Sequence, residues 1–207
     1  MITLNVEQNS PEWFEARCGI PTASSFKEIF TSQGKPSASA TNYMHKLLAE
    51  WLTGSKTEIK QTEWMERGSL MEDEARAWYE FQTGNAVMQV GLVYKDETKM
   101  IACSPDGLIS YGNGLEIKCP AAHTHVKYLL ANKLPSEYVP QVQGSMLVTG
   151  ANQWDFVSYH PDIDPLLITV KRDEEYIEKL ETELNKFVSK LLNQRNKLIE
   201  MGIKEAA

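Results

Sequence analysis

Residues 103–120 read CSPDGLISYGNGLEIKCP, and no other stretch restricts the fold as strongly. Tyr111-Gly112-Asn113-Gly114 has the composition of a tight turn. It is predicted to join a strand over 107–110 to one over 115–119. Side chains alternate along a strand, so Leu115, Ile117 and Cys119 face one way and Glu116 and Lys118 the other. The apolar trio can enter a core while the glutamate and lysine project together. Nine residues lie between Asp106 and Glu116, and a hairpin returns the chain over that distance. Two carboxylates and a lysine are thereby gathered in one place.

The hairpin closes a run of period-two sequence, with strands predicted over 87–94 and 100–103 before it, four in succession. Helical spacing flanks the run. Ser10-Pro11-Glu12 starts a short helix that carries Trp13, Phe14 and Arg17 and ends near Gly19. Thr22 opens a second, to about Phe30. Longer helices are predicted over 41–53 and 63–83, the latter turning Trp64, Met71, Ala75, Trp78 and Tyr79 inward. Further helices follow over about 122–131 and 136–148. Strands over 153–159 and 166–171 are separated by a Pro/Asp turn, and Asp173 caps a last helix to about Met201. No linker interrupts the 207 residues, so one domain over 1–207 is expected. With 42% apolar residues and five Trp the chain can bury a core. The fold class is α/β, or α+β, with a mixed central sheet flanked by helices.

Two carboxylates with carbonyl and water oxygens suit Mg²⁺, with Mn²⁺ as the alternative. A lysine on the same strand face can orient a water or stabilise developing negative charge. These are the parts of metal-assisted phosphodiester hydrolysis. Taken alone, Glu-x-Lys on a strand also describes an ordinary solvated face.

Pro105-Asp106, nine residues, then Glu116-x-Lys118 resembles the PD-(D/E)xK nuclease signature, which implies a restriction-endonuclease-like core. The longer stretch ACSPDGLISYGNGLEIKCP is similar to the core motif of the phage lambda exonuclease family, the alkaline-exonuclease-type phage recombination nucleases. Other matching stretches stand in the family's order. They are Trp13 to Ser24, Gly68 to Arg76 leading to Tyr79-Glu80-Phe81, and Pro140-Gln141-Val142-Gln143-Gly144-Ser145-Met146. Trp154-Asp155-Phe156 and the helix opened by Arg172-Asp173-Glu174 complete the set. The loops at 31–40 and 160–166 match least.

The resemblance implies that Asp106 and Glu116 are metal ligands, with the Ile117 carbonyl beside them. Lys118 positions or activates the attacking water, Glu72 completes the acidic site, and Gln143 lines it. Arg17, Ser24 and Ser104 hold a 5′-terminal phosphate, and an arginine fork with two hydroxyls is sound chemistry for that. The residues alone leave other readings open. Glu72 lies in the acidic run Glu72-Asp73-Glu74, which also suits a solvated face. Arg17 can complement a helix dipole, Ser24 can be a cap, and Gln143 can be a satisfied polar residue between helices.

The implied activity is that of a Mg²⁺-dependent 5′-to-3′ exonuclease. It would degrade one strand of linear double-stranded DNA from a 5′-phosphorylated end to mononucleotides and leave 3′ overhangs for single-strand annealing. The implied partners are a single-strand annealing protein and two further copies of the chain in a homotrimer ring. The implied setting is the bacterial host cytosol, with a phage or prophage gene. The rival readings are a PD-(D/E)xK endonuclease or repair nuclease, and an inactive module that binds DNA ends or the annealing protein.

Other residues are less directive. Trp13 suits core packing or stacking against a DNA end. His123 and His125 bracket Thr124 with no third ligand at metal spacing, so surface or DNA-backbone contact is expected. Cys18 and Cys119 read as small core residues, and Cys103 has no nearby base. There is no apolar run of membrane length and no secretory signal at the start. The net charge of −7, from 21 basic and 28 acidic residues, excludes a protein that coats nucleic acid. That charge is unevenly spread. Residues 58–80 hold seven acids and three bases, whereas 115–135 hold one acid and three lysines. This distribution suits a nuclease that touches DNA in one channel.

Overall fold

A computed structural model describes residues 1–55, 63–109 and 112–203, with the backbone alone for 63–70. The chain runs β1 (Ile2–Leu4), α1 (Pro11–Ala16), a 3₁₀ turn (Ala23–Glu28), α2 (Ala40–Thr53) and α3 (Glu63–Thr83). Four strands follow: β2 (Leu92–Tyr94), β3 (Ala102–Cys103), β4 (Gly107–Leu108) and β5 (Gly114–Lys118). Then come α4 (Ala122–Ala131), a 3₁₀ turn (Ser136–Tyr138), α5 (Val139–Thr149), β6 (Gln153–His160), β7 (Ile163–Lys171) and α6 (Glu174–Glu200). Ser10 caps α1 by accepting from the Trp13 N–H, and Asp173 caps α6 by accepting from the Tyr176 N–H. Trp64, Ser110 and Tyr111, which entered the expectations above, lie outside the described residues or side chains.

The described strands form two sheets, ordered β1-β2-β3 and β4-β5-β6-β7. The four predicted strands therefore do not make one meander. Between β3 and β4 stands Ser104-Pro105-Asp106, where Pro105 has no N–H to give a ladder. The strand expected over 87–94 is regular only from Leu92. Upstream, side chains take the carbonyls that a ladder would use: Gln8 donates to Val90 O and Trp13 to Gly91 O, both at 2.9 Å. β1, absent from the sequence reading, pairs antiparallel with β2.

The second sheet is mixed, because β5 pairs parallel with β6 across the α4–α5 crossover while its other pairs are antiparallel. The turn expected at 160–165 is shorter than predicted. Asp164 and Pro165 lie within β7, where the register with β6 shifts between Ser158 and His160. β7 is an edge strand, the place in a sheet that accommodates proline.

The largest core cluster joins Phe26, Phe30, Leu47, Val93, Met146 and Trp154 to the inner face of α6, with Leu180, Leu184 and Leu191 fully buried. Tyr176, Ile177, Leu180, Leu184, Phe187 and Leu191 form the buried stripe of that helix. Gly114, expected as a turn residue, opens β5 opposite Trp154. A Cβ at Gly114 would lie 2.2 Å from the Trp154 ring. Gly114→Ala is expected to lower stability by about 1–3 kcal/mol through overpacking, read from the denaturant midpoint. No helix of the described residues is long and apolar enough to cross a membrane.

Candidate active site

β5 is covered on both faces. Leu115 and Ile117 pack with Ala75 and Tyr79 of α3 and with Val157 of β6. The opposite face carries Glu116, only 1% exposed, and Lys118. Lys118 Nζ donates to Glu116 Oε1, and Gln141 Nε2 of α5 donates to the same oxygen at 2.6 Å. Glu116 Oε2 is buried and has no hydrogen-bond partner among the described residues. Asp106 Oδ2 accepts the Ile117 N–H at 2.5 Å, and the Asp106 N–H donates to Leu115 O at 3.2 Å. The hairpin thus brings Asp106, Glu116 and Lys118 together.

Glu72 of α3 lines a cleft of about 650 Å³ with Asp106 and Arg76. Arg76 holds Glu72 at 2.8 Å and Asp73 at 2.6 Å. Burial, and secondarily the charge of Asp106, push the Glu72 carboxyl up to about 7. Burial also raises Glu116 to about 7, against the opposing pull of Lys118. Asp106 is raised for the same first reason. Burial draws the Lys118 ammonium down, but Glu116 and Asp106 outweigh it and hold its pKa above the usual lysine range. The cluster has more negative charge than its single lysine and arginine balance comfortably at low solvation.

A second site lies on the other side of Pro105. Arg17 is 8% exposed, with its guanidinium 3.9 Å above the Trp13 ring. Its Nη1 donates to Ser104 Oγ at 2.6 Å, and its Nη2 reaches Thr22 Oγ1 at 3.4 Å and the exposed Ser24 at 3.5 Å. These three partners are hydroxyls, not carboxylates. Burial lowers the Arg17 pKa to about 10, which still leaves it charged at neutral pH. A charged, hydroxyl-lined guanidinium has the chemistry to receive an oxyanion. Trp13, considered above as a base-stacking surface, is buried: its indole N–H is given to Gly91 O, and Arg17 covers its ring. The exposed aromatic there is Phe14, packed edge-on to Trp13 at 5.0 Å.

Residues 12–152 match the YqaJ-like viral recombinase domain. The chain belongs to this family. The resemblance to lambda exonuclease relatives read from the sequence agrees with it. The chain is similar to the alkaline exonuclease LHK-Exo of Laribacter hongkongensis, at 34% identity over 93% of this chain and 98% of that one, TM-score 0.85. The same enzyme in complex with dAMP superposes with TM-score 0.84 at the same identity and coverage. A phage-related exonuclease from Haemophilus somnus 129PT shares the fold, with 17% identity, 85% and 96% coverage and TM-score 0.62. No curated protein matches the chain.

Within this YqaJ-like domain the glutamine at the carboxylates is Gln141, not the expected Gln143. Gln143 is 4% exposed; its Nε2 donates to Lys171 O at 3.0 Å and its Oε1 accepts the Asp173 N–H at 3.0 Å. Residues two apart on a helix face away from each other, so only one of the pair can serve the site. Gln141→Ala is expected to lower turnover about tenfold or more, the loss of one hydrogen bond to a carboxylate, with little change in melting temperature. Gln143→Ala is expected to do the reverse, since it unties β7 and the start of α6. Turnover and melting measured on both variants separate the two roles.

His125 is likewise corrected: it is fully buried, its Nε2 donating to Asp164 O at 3.0 Å and its Nδ1 lying 2.7 Å from Ser158 Oγ. A carbonyl only accepts, so Nε2 carries a proton. The helix faces that hydroxyl from across β6, and the ring belongs to the core. His123 remains exposed. Cys18 and Cys119 are half-buried, and Cys103 is buried, its thiol pushed up by burial and so protonated.

The carboxylates fit a hard divalent cation. Among the described residues no three acidic, imidazole or thiol groups already converge as a cage. Mg²⁺ needs less, since it keeps several waters and takes one or two carboxylates. Glu116 Oε2, buried and unpartnered while its sister oxygen takes two donors, is the oxygen that most needs such a partner.

Proposed function

We propose that this protein is a Mg²⁺-dependent exonuclease that degrades one strand of linear duplex DNA from a 5′-phosphorylated end. It releases mononucleotides and leaves a 3′ single-stranded tail. One observation carries the reading: Ser104 belongs to the Arg17 site and Asp106 to the carboxylate site. Two residues of chain span at most ~7 Å. A terminal phosphate seated on Arg17 and Ser104 leaves the next phosphodiester beside the carboxylates, and cleavage there frees one nucleotide. Support from a relative is the complex of LHK-Exo with dAMP, a deoxynucleoside monophosphate.

Asp106 and Glu116, joined by Glu72 and the Ile117 carbonyl, would hold Mg²⁺ or Mn²⁺. When bound, the ion supplies an acidified water and neutralises charge on the phosphate. Lys118, kept cationic by Glu116 and Asp106, stands where negative charge grows on the phosphodiester and can orient the attacking water. Gln141 and Lys118 fix the Glu116 carboxylate by sharing one of its oxygens. Arg17 and Ser104 hold the terminal phosphate, with Ser24 at the rim. The same proposal takes the chain as one nuclease domain. It also includes a ring of three copies around DNA, a single-strand annealing protein on the exposed strand, and action in the bacterial cytosol.

The test is digestion of matched linear duplexes, 5′-phosphorylated and 5′-hydroxyl, beside a covalently closed circle, with Mg²⁺ and with chelator. The linear phosphorylated duplex is expected to be consumed, the circle to survive, and chelator to stop the reaction. A nicked circle favours the endonuclease reading, and binding without hydrolysis favours the inactive module. Arg17→Ala is expected to lose about 10- to 100-fold on phosphorylated ends, the worth of charged hydrogen bonds. Equal loss on hydroxyl ends contradicts the phosphate anchor.

A further inference from the structure

We propose that Glu50 of α2 and Arg195 of α6 are positioning residues that set the geometry of the Arg17 pocket by clamping the Gly19 peptide. The inference rests on the end-anchoring reading given above. Arg17 closes α1, while Thr22 and Ser24 stand at the following 3₁₀ turn. Cys18, Gly19, Ile20 and Pro21 are all that joins the two halves of the pocket. The separation of the guanidinium from its hydroxyl partners therefore depends on how this short connection is held.

Gly19 is held from both sides. Its N–H donates to Glu50 Oε2 at 3.2 Å, and its carbonyl accepts from Arg195 Nη2 at 2.5 Å, a contact across 176 positions of sequence. Glu50 is 3% exposed, a buried carboxylate with no place in the hydrolytic chemistry. Its own backbone carbonyl also accepts from Cys18 Sγ at 3.2 Å. Arg195 lies over the Trp51 ring at 5.3 Å, next to Glu50 in α2. Gly19 has φ +71°, and a Cβ there would lie 2.9 Å from Arg195 Nη2 and 3.0 Å from Trp51 Cβ. The conformation and the close approach both call for glycine. A buried acid and a stacked arginine on two different helices thus converge on one peptide, and that peptide sits midway between the residues that would grip the phosphate. The clamp also gives the last helix a role in end recognition that its apolar stripe alone does not suggest.

The variants are Arg195→Met, Glu50→Ala and Glu50→Gln, the last keeping an acceptor oxygen for the Gly19 N–H. Small displacements of a positioned group cost up to about 100-fold. Arg195→Met and Glu50→Ala are expected to raise KM on 5′-phosphorylated duplex about tenfold or more with little change in kcat. Their KM on 5′-hydroxyl duplex should hardly move, so the preference for phosphate collapses. Glu50→Gln is expected to recover most of it. Amide exchange over residues 18–22 is expected to quicken in the first two variants while the exchange of α5 and β6 is unchanged, which separates a loosened clamp from a failed fold. A wild type that prefers phosphorylated ends, with variants that keep that preference, overturns the clamp alone. Equal losses on both kinds of end also overturn it. A wild type indifferent to the phosphate overturns the end-anchoring reading and the clamp's role with it.

Discussion

Glu116→Ala is expected to reduce hydrolysis of linear duplex by roughly a thousandfold or more, the scale of several kcal/mol of transition-state stabilisation. Asp106→Ala is expected to match it. Glu116 Oε1 organises both Lys118 and Gln141, and its buried Oε2 is the free ligand oxygen of the cluster. Removing the carboxylate deletes that ligand and leaves a half-buried ammonium and a half-buried amide without their acceptor. Asp106 contributes its charge and also holds the Ile117 N–H, so its loss loosens the junction of β4 and β5. DNA binding should survive in both, since deleting a carboxylate also deletes repulsion toward phosphate. Initial rates together with a binding titration provide the check. Near-normal rates in either variant contradict the assignment.

Lys118→Ala is expected to lower kcat by about 100- to 1,000-fold, the range for one electrostatic donor in a preorganised site. KM should move far less, because the lysine is used in the chemical step. The structure adds a second reason for severity. Lys118 is the charge that most opposes the rise that burial imposes on Glu116 and Asp106. Without it both carboxyls rise further, and a larger share is protonated near neutrality. A loss confined to KM contradicts this role. Because Lys118→Met keeps the aliphatic volume but not the charge, it should fall as far as the alanine variant.

The hairpin was legible because two local rules act on it together: alternation separated Leu115 and Ile117 from Glu116 and Lys118, and the glycine-rich turn returned Asp106 to them. Helices were legible wherever one face is apolar, as the buried stripe of α6 shows. α5 was not, in the sense that matters for the site. It is buried from Val142 through Val148, so no periodicity says which way Gln141 and Gln143 point. The split into two sheets turns on Pro105 and on side chains of Gln8 and Trp13, which take backbone carbonyls from far along the chain. Such long-range side-chain bonds leave no local pattern. The same holds for His125, whose partners lie across β6 and β7, and for Gly19, whose two partners come from α2 and α6. Arg76 was given no role in the sequence reading; its only signal there is a Glu and an Arg four apart on one helix, which any solvated face also allows.

The central claim is that cleavage proceeds one nucleotide at a time from a 5′-phosphorylated end. A linear duplex carrying distinguishable labels on the 5′ and 3′ termini of the same strand tests it most directly, with products resolved over the first turnovers in Mg²⁺. The expected result is 5′ label appearing at once as mononucleotide while 3′ label stays in long strands. Five-prime label released in oligonucleotides, or 3′ label released first, contradicts the claim.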